Sequence, residues 1–97
     1  MSERAPGPPR EGRPLVVIYT RPLCTYCFRA KRLLKKLGVA FEERSATSPE
    51  VRAHLLARTG KRTVPQVFAD DEPLGGFDDL AALHRAGALA SKLSPRG

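Results

Sequence analysis

The 97-residue sequence predicts a small α/β domain on three observations. Leu15-Val16-Val17-Ile18-Tyr19-Thr20 is a short β-branched apolar run ended by Arg21-Pro22. It reads as a strand buried on both faces, of the kind found centrally in α/β sheets. Cys27, Ala30, Leu33, Leu34 and Leu37 then recur at three- and four-residue spacing and Gly38 closes the pattern. That is an amphipathic helix with its lysines and arginines outside. Val39 to Arg44 resembles a second, shorter strand, and strand, helix, strand implies a right-handed crossover and a parallel pair.

Downstream, Thr47-Ser48-Pro49-Glu50 opens another helix, with a serine cap and proline at its first position. It runs to about Thr59 and stops at Gly60. Gln66-Val67-Phe68-Ala69 reads as a third strand, Asp70-Asp71-Glu72 as an acidic turn, and Pro73-Leu74 as a brief segment ended by two glycines. The second strand pair is therefore expected to be a hairpin, and a last helix starts near Asp78. Residues 1 to 14 hold four of the nine prolines and, Met1 apart, no aliphatic larger than alanine. They cannot bury enough surface to offset their ordering entropy and are expected to form a mobile tail. A chain of this length is too short for two independent cores, so residues 15 to 97 are expected to be a single domain.

The net charge of +7 is unevenly spread. Residues 21 to 36 carry Arg21, Arg29, Lys31, Arg32, Lys35 and Lys36 without an acid, whereas residues 70 to 79 carry Asp70, Asp71, Glu72, Asp78 and Asp79 without a base. The surface is dipolar. No tryptophan, only six aromatics and no zinc-finger pattern accompany the charge, so a nucleic-acid partner is not expected. The basic face of the first helix is instead expected to steer acidic conjugates and acidic partner proteins. No apolar run approaches the roughly 20 residues of a membrane span, so no membrane partner is expected. The N-terminus lacks the apolar stretch of a signal peptide, which favours a reducing cytoplasm.

The chemistry centres on Cys24 and Cys27, the only two cysteines, at the junction of the first strand and first helix. A thiol at a helix N-terminus faces unpaired N–H groups and the positive end of the dipole. Both favour thiolate and can bring a pKa from about 8.5 to between roughly 3.5 and 7. Cys24 is expected to be the nucleophile. Cys27, almost one turn on and pointing at the core, can reach Cys24 and resolve a mixed disulfide but should attack poorly. The competing readings are packing or zinc. Zinc needs two further ligands, and the only histidines, His54 and His84, stand far from finger spacing and inside helical patterns.

Three motifs in order, Cys24-Thr25-Tyr26-Cys27 after a strand, Thr63-Val64-Pro65 before the third strand and Gly75-Gly76-Phe77-Asp78-Asp79 at a final helix start, resemble the glutaredoxins over about residues 15 to 93. The resemblance implies a thioredoxin-like fold, a four-stranded mixed sheet in order 2-1-3-4 flanked by helices. It implies glutathione as reductant and glutathionylated or disulfide-containing proteins as partners, with a monomer expected. In the family Pro65 is cis, and Val64 presents its backbone to the cysteine of glutathione as one strand to another. Gly76 would let the ligand approach, while N–H groups at Phe77 and Asp78 would take the γ-glutamyl carboxylate. Asp78 or Asp79 would accept from the α-amino group, although alone they read equally as an N-cap and a first-turn acid. Arg21 and Arg52 occupy positions that reach the glycine carboxylate, although each also reads as a solvated charge. Tyr26 would flank the tripeptide, with Thr63 beside it.

By this resemblance the chain is a glutathione-dependent disulfide oxidoreductase without a tightly bound cofactor. The main departure is Thr25, where the most familiar dithiol members have proline. Some relatives with a small or polar residue there hold a two-iron, two-sulfur cluster between two subunits through the first cysteine and glutathione. A dimeric cluster carrier is thus the alternative, with Cys24 as the only protein ligand.

Overall fold

The computed structural model describes residues 15–93; the tail expected over residues 1–14, and residues 94–97 of the expected domain, lie outside them. The chain runs β1 (Val16–Thr20), α1 (Thr25–Lys36), β2 (Glu42–Ser45), α2 (Pro49–Thr59), β3 (Gln66–Ala69), β4 (Glu72–Gly75), α3 (Phe77–Arg85) and α4 (Ala88–Leu93). The strands form one sheet in the order β2-β1-β3-β4. β1 is parallel to β2 and antiparallel to β3, and β3 and β4 pair as the expected hairpin. This is the mixed, helix-flanked sheet that the motifs imply.

β1 is central because all five of its residues are buried. Its side chains alternate between two cores, as the period of a strand requires. Val16 and Ile18 pack with Ala30, Leu34, Leu80, Leu89 and Leu93 on the face covered by α1, α3 and α4. Val17 and Tyr19 pack with Ala46, Leu55 and Phe68 on the α2 face. Full burial of a leucine or isoleucine contributes roughly 1.5–3 kcal/mol, so Ile18, Leu34, Leu55 and Leu80 anchor the two layers. β2, by contrast, is the polar edge Glu42-Glu43-Arg44-Ser45, a composition that discourages pairing with another chain.

Two boundaries differ from expectation. β2 begins at Glu42 rather than Val39, because the Val39 N–H is committed to closing α1. Gly38, at φ +73°, donates to the Lys35 carbonyl (3.0 Å) and Val39 to the Leu34 carbonyl (3.0 Å), a Schellman closure. Val39 and Phe41 then pack against the α1 core instead of joining the ladder. The last helix is also two helices, divided around Gly87, with Leu89 and Leu93 of α4 returned to the core. α2 starts and stops as expected: the Ser48 hydroxyl accepts the Val51 N–H (3.2 Å), and Gly60 donates to the Leu56 carbonyl (2.8 Å).

Candidate active site

The end of β1 delivers the chain to the loop Arg21-Pro22-Leu23. Leu23 sits in the left-handed region at φ +59°, an uncommon conformation for a non-glycine residue, with its side chain fully exposed. That turn sets Cys24 as the N-cap of α1. Its Sγ accepts the Cys27 N–H at 3.2 Å, the role an oxygen plays at most helix starts. The Cys24 thiol in turn donates to the Val64 carbonyl at 3.9 Å. The first turn of α1 holds no acid, and Lys35 and Lys36 lie in its last turn, so no nearby carboxylate on the helix opposes a negative sulfur.

Cys27 is the opposite case. It is buried, with 2% exposure, and burial is the main reason its thiol is pushed up to about 11, reinforced by the hydrogen bond with Cys24. The Arg21 backbone and Lys31 pull the other way but do not prevail. At neutral pH Cys27 stays a thiol. One turn of helix thus holds an accessible sulfur that accepts an N–H beside a buried sulfur that resists ionisation.

The Val64-Pro65 peptide bond is cis. Thr63, Val64 and Pro65 face the N-terminus of α3 across a groove of about 450 Å³, whose walls also include Tyr26, Gly76, Phe77, Asp78 and Asp79. Gln66 holds the Thr63 end: buried at 1% exposure, its Nε2 donates to the Thr63 carbonyl at 3.0 Å. The double glycine is a packing requirement. Gly75 has φ +102°, and a Cβ there would overlap the Asp79 side chain. A Cβ at Gly76 would come within 3.1 Å of the Pro65 carbonyl, so side chains there would push α3 away from the cis-proline loop.

On the other side of Cys24 lies a second groove of about 800 Å³, lined by Arg21, Leu23, Cys24, Cys27, Phe28 and Lys31 among others. Glu43 forms part of its wall. The Thr20 hydroxyl donates to Glu43 at 2.6 Å and Lys31 bridges to it at 3.0 Å. The Thr20 bond first, and Lys31 after it, hold this carboxyl below the usual range against the opposing effect of burial.

A glutaredoxin family model matches residues 16–74. A glutaredoxin of Pseudomonas aeruginosa is 50% identical over 82 residues, spanning 84% of this chain and 98% of its own. The chain belongs to the glutaredoxin family. The solution structure of a Brucella melitensis glutaredoxin is 46% identical and superposes with a TM-score of 0.77, covering 92% of this chain and 94% of that one. A buckwheat glutaredoxin, crystallised as a complex with glutathione, is 33% identical with a TM-score of 0.76, covering 82% and 76%. As a glutaredoxin this protein has the thioredoxin-like fold and is a thiol-disulfide oxidoreductase.

The glutaredoxin fold brings most of the sequence-predicted residues together. Tyr26, Thr63, Val64, Pro65, Gly76, Phe77, Asp78 and Asp79 line one groove, which Cys24 meets through its contact with the Val64 carbonyl, while both cysteines line the second groove. Tyr26 is half-exposed, with its ring 6.0 Å from that of Phe77. Arg21 lines the second groove, and Arg52 stands exposed on α2 and lines neither. Asp79 is engaged: its carboxylate accepts the Gly76 N–H at 3.0 Å, which makes Gly76 rather than Asp78 the N-cap of α3. Asp78 makes no hydrogen bond or ion pair among the described residues and faces the groove with its carboxylate open.

Sequence reasoning missed Lys61, which lines the groove beside Thr63 and is the only cation there among the described residues. Its place between Gly60 and the Thr63-Val64-Pro65 motif was the available signal. His54 and His84 are exposed on α2 and α3, and the described residues contain no group of three or more side chains able to hold a metal ion. No helix among them is long and apolar enough to cross a membrane.

Proposed function

We propose that this protein reduces glutathione mixed disulfides and protein disulfides with glutathione as the electron donor. The observation that carries the reading is the position of the Cys24 sulfur. It caps α1, accepts the Cys27 N–H and lies beside a groove walled by Val64 and the N-terminus of α3. The groove suits an acidic tripeptide with two free carboxylates. The Val64 backbone would pair with its central residue, and the Phe77 and Asp78 N–H groups would take one carboxylate. Asp78 would meet the amino group, and Lys61, with Arg21 or Arg52, the glycine carboxylate. The buckwheat relative's complex with glutathione supports this ligand.

In the deglutathionylation step, the Cys24 thiolate attacks the glutathionyl sulfur of a protein–glutathione disulfide. A new Cys24–glutathione disulfide forms and the protein thiolate leaves. A second glutathione thiolate attacks the glutathionyl sulfur, giving glutathione disulfide and returning Cys24 as thiolate. With a protein disulfide, Cys24 bonds to one sulfur and releases the other. Cys27 then loses its proton and attacks Cys24, and the client leaves reduced. Two glutathione molecules reduce the Cys24–Cys27 bond. The protein would act as a monomer in a reducing cytoplasm, where the supply of reduced glutathione drives both routes.

Turnover of a glutathionylated peptide by wild type, Cys24→Ser and Cys27→Ser tests this. Wild type and Cys27→Ser should turn over, while Cys24→Ser should be inactive. Activity surviving in Cys24→Ser would overturn the assignment.

A further inference from the structure

A cavity of about 810 Å³ opens between α1 and α3; it shares no lining residue with the groove that holds the two cysteines and adjoins the Val64–α3 groove at Phe77. Its floor is apolar, with Leu33 and Phe77 half-buried, and its rim is basic: Arg29, Arg32, Lys35, Lys36 and Arg85 all line it, without an acid. None of these five forms a salt bridge with a carboxylate among the described residues, although four other cations of the chain do. Phe77 lines this cavity and the Val64–α3 groove alike. The Tyr26 ring stacks toward Phe77, and the Arg29 guanidinium sits 5.5 Å from the Tyr26 centroid. Arg29, Tyr26 and Phe77 thus form the ridge between the two depressions.

We propose that this basic groove seats an acidic segment of the client protein, with Asp or Glu residues about two to six positions from the cysteine that Cys24 engages. The proposal rests on the function proposed above and names a class of client for it. At a rise of 1.5 Å per helical residue, Arg29, Arg32 and Lys36 lie about 8, 12 and 18 Å beyond Cys24 along α1. An extended peptide at about 3.3 Å per residue covers that span in roughly two to six residues. Cations without a salt bridge, of which Lys35 acts on Glu43 only at longer range, stand over an apolar floor and fit carboxylates carried on a chain with apolar stems. Phe77, half-buried, is the one Phe or Tyr ring lining the cavity among the described residues, short of the successive rings on which nucleotide bases stack.

Two glutathionylated peptides of equal length, one with three glutamates two to six positions from its cysteine and one with glutamines there, test the seat. Wild type should prefer the glutamate peptide by about fivefold in kcat/KM at low salt, the size expected of two exposed charge pairs. The preference should vanish in Arg32→Ser/Arg85→Ser, while the mixed disulfide of glutathione and 2-mercaptoethanol is reduced at the wild-type rate. Moving the glutamates ten or more positions away should also abolish it, whereas long-range steering alone would keep it. Equal kcat/KM for the two peptides in wild type, or a preference that survives the double variant, would overturn the proposal. Failure of wild type to reduce the small mixed disulfide would instead refute the glutathione-dependent function. The seat is then read by titrating the unmodified glutamate peptide against amide resonances. Shifts at Arg32, Leu33 and Arg85 support it. Their absence, or larger shifts there with a single-stranded oligonucleotide than with the peptide, overturns it.

Discussion

The rate at which Cys27 releases a client from Cys24 should be governed by a single proton. Burial, with the Cys24 hydrogen bond, moves the Cys27 thiol from an ordinary 9.0 to about 11, which disfavours its thiolate by roughly 3 kcal/mol. At pH 7 the reactive thiolate is then about one part in ten thousand, against about one in a hundred for an unshifted thiol. The assay forms a mixed disulfide between Cys24 and a chromophoric aryl thiol and follows its release by absorbance without glutathione, with Cys27→Ser as the blank. In the mixed disulfide the Cys24 contributions change, but burial, the largest cause, persists. Release should therefore rise about tenfold per pH unit from pH 7 through the ordinary value of 9.0, without a plateau in that interval. A plateau at or below 9.0 would show that Cys27 ionises like a free thiol and refute the reasoning from burial.

The two acids at the start of α3 should separate by readout. Asp79→Ala removes the acceptor of the Gly76 N–H and should cost about 1 kcal/mol in urea unfolding, while Asp78→Asn should leave stability unchanged and raise the KM for glutathione. On the acid side, Glu42, held low chiefly by its bond to Arg44, and Glu43, held low chiefly by Thr20, have folded values below the ordinary 4.5. Their stabilising contribution is complete above that value and lost as pH falls through the depressed folded values. The urea midpoint should accordingly fall less steeply with acid in Glu43→Gln than in wild type, and an unchanged slope would count against the Thr20–Glu43–Lys31 cluster.

The sheet was legible because β1 is buried on both sides and its sequence carries no polar residue before Thr20 to disguise that. α1 and α2 were legible through their caps: Ser48-Pro49 at one start, Gly38 and Gly60 at two ends. The start of β2 was not, because Val39 has a strand former's side chain but spends its N–H on the Leu34 carbonyl. The break between α3 and α4 was hidden for a related reason. Leu80, Leu83, Leu89 and Leu93 all contact one core, so the apolar spacing carries through Gly87 although the backbone does not. At the site, the cysteines announced themselves by type and spacing, and the Thr63-Val64-Pro65 and Gly75-Gly76 motifs became legible through the family resemblance the three motifs carry together. Lys61 and the engagement of Asp79 did not, since each depends on how the cis-proline loop and the start of α3 meet across the sheet.

The most direct test of the account is to react Cys27→Ser with glutathione disulfide, locate the adduct by mass spectrometry and map its contacts through amide resonances. One glutathione on Cys24, with shifts concentrated at Val64, Gly76, Phe77 and Asp78, is the predicted result. An adduct that leaves those amides unmoved and perturbs only Leu23, Phe28 and Lys31 would contradict it, because the tripeptide would then occupy the wrong side of the sulfur.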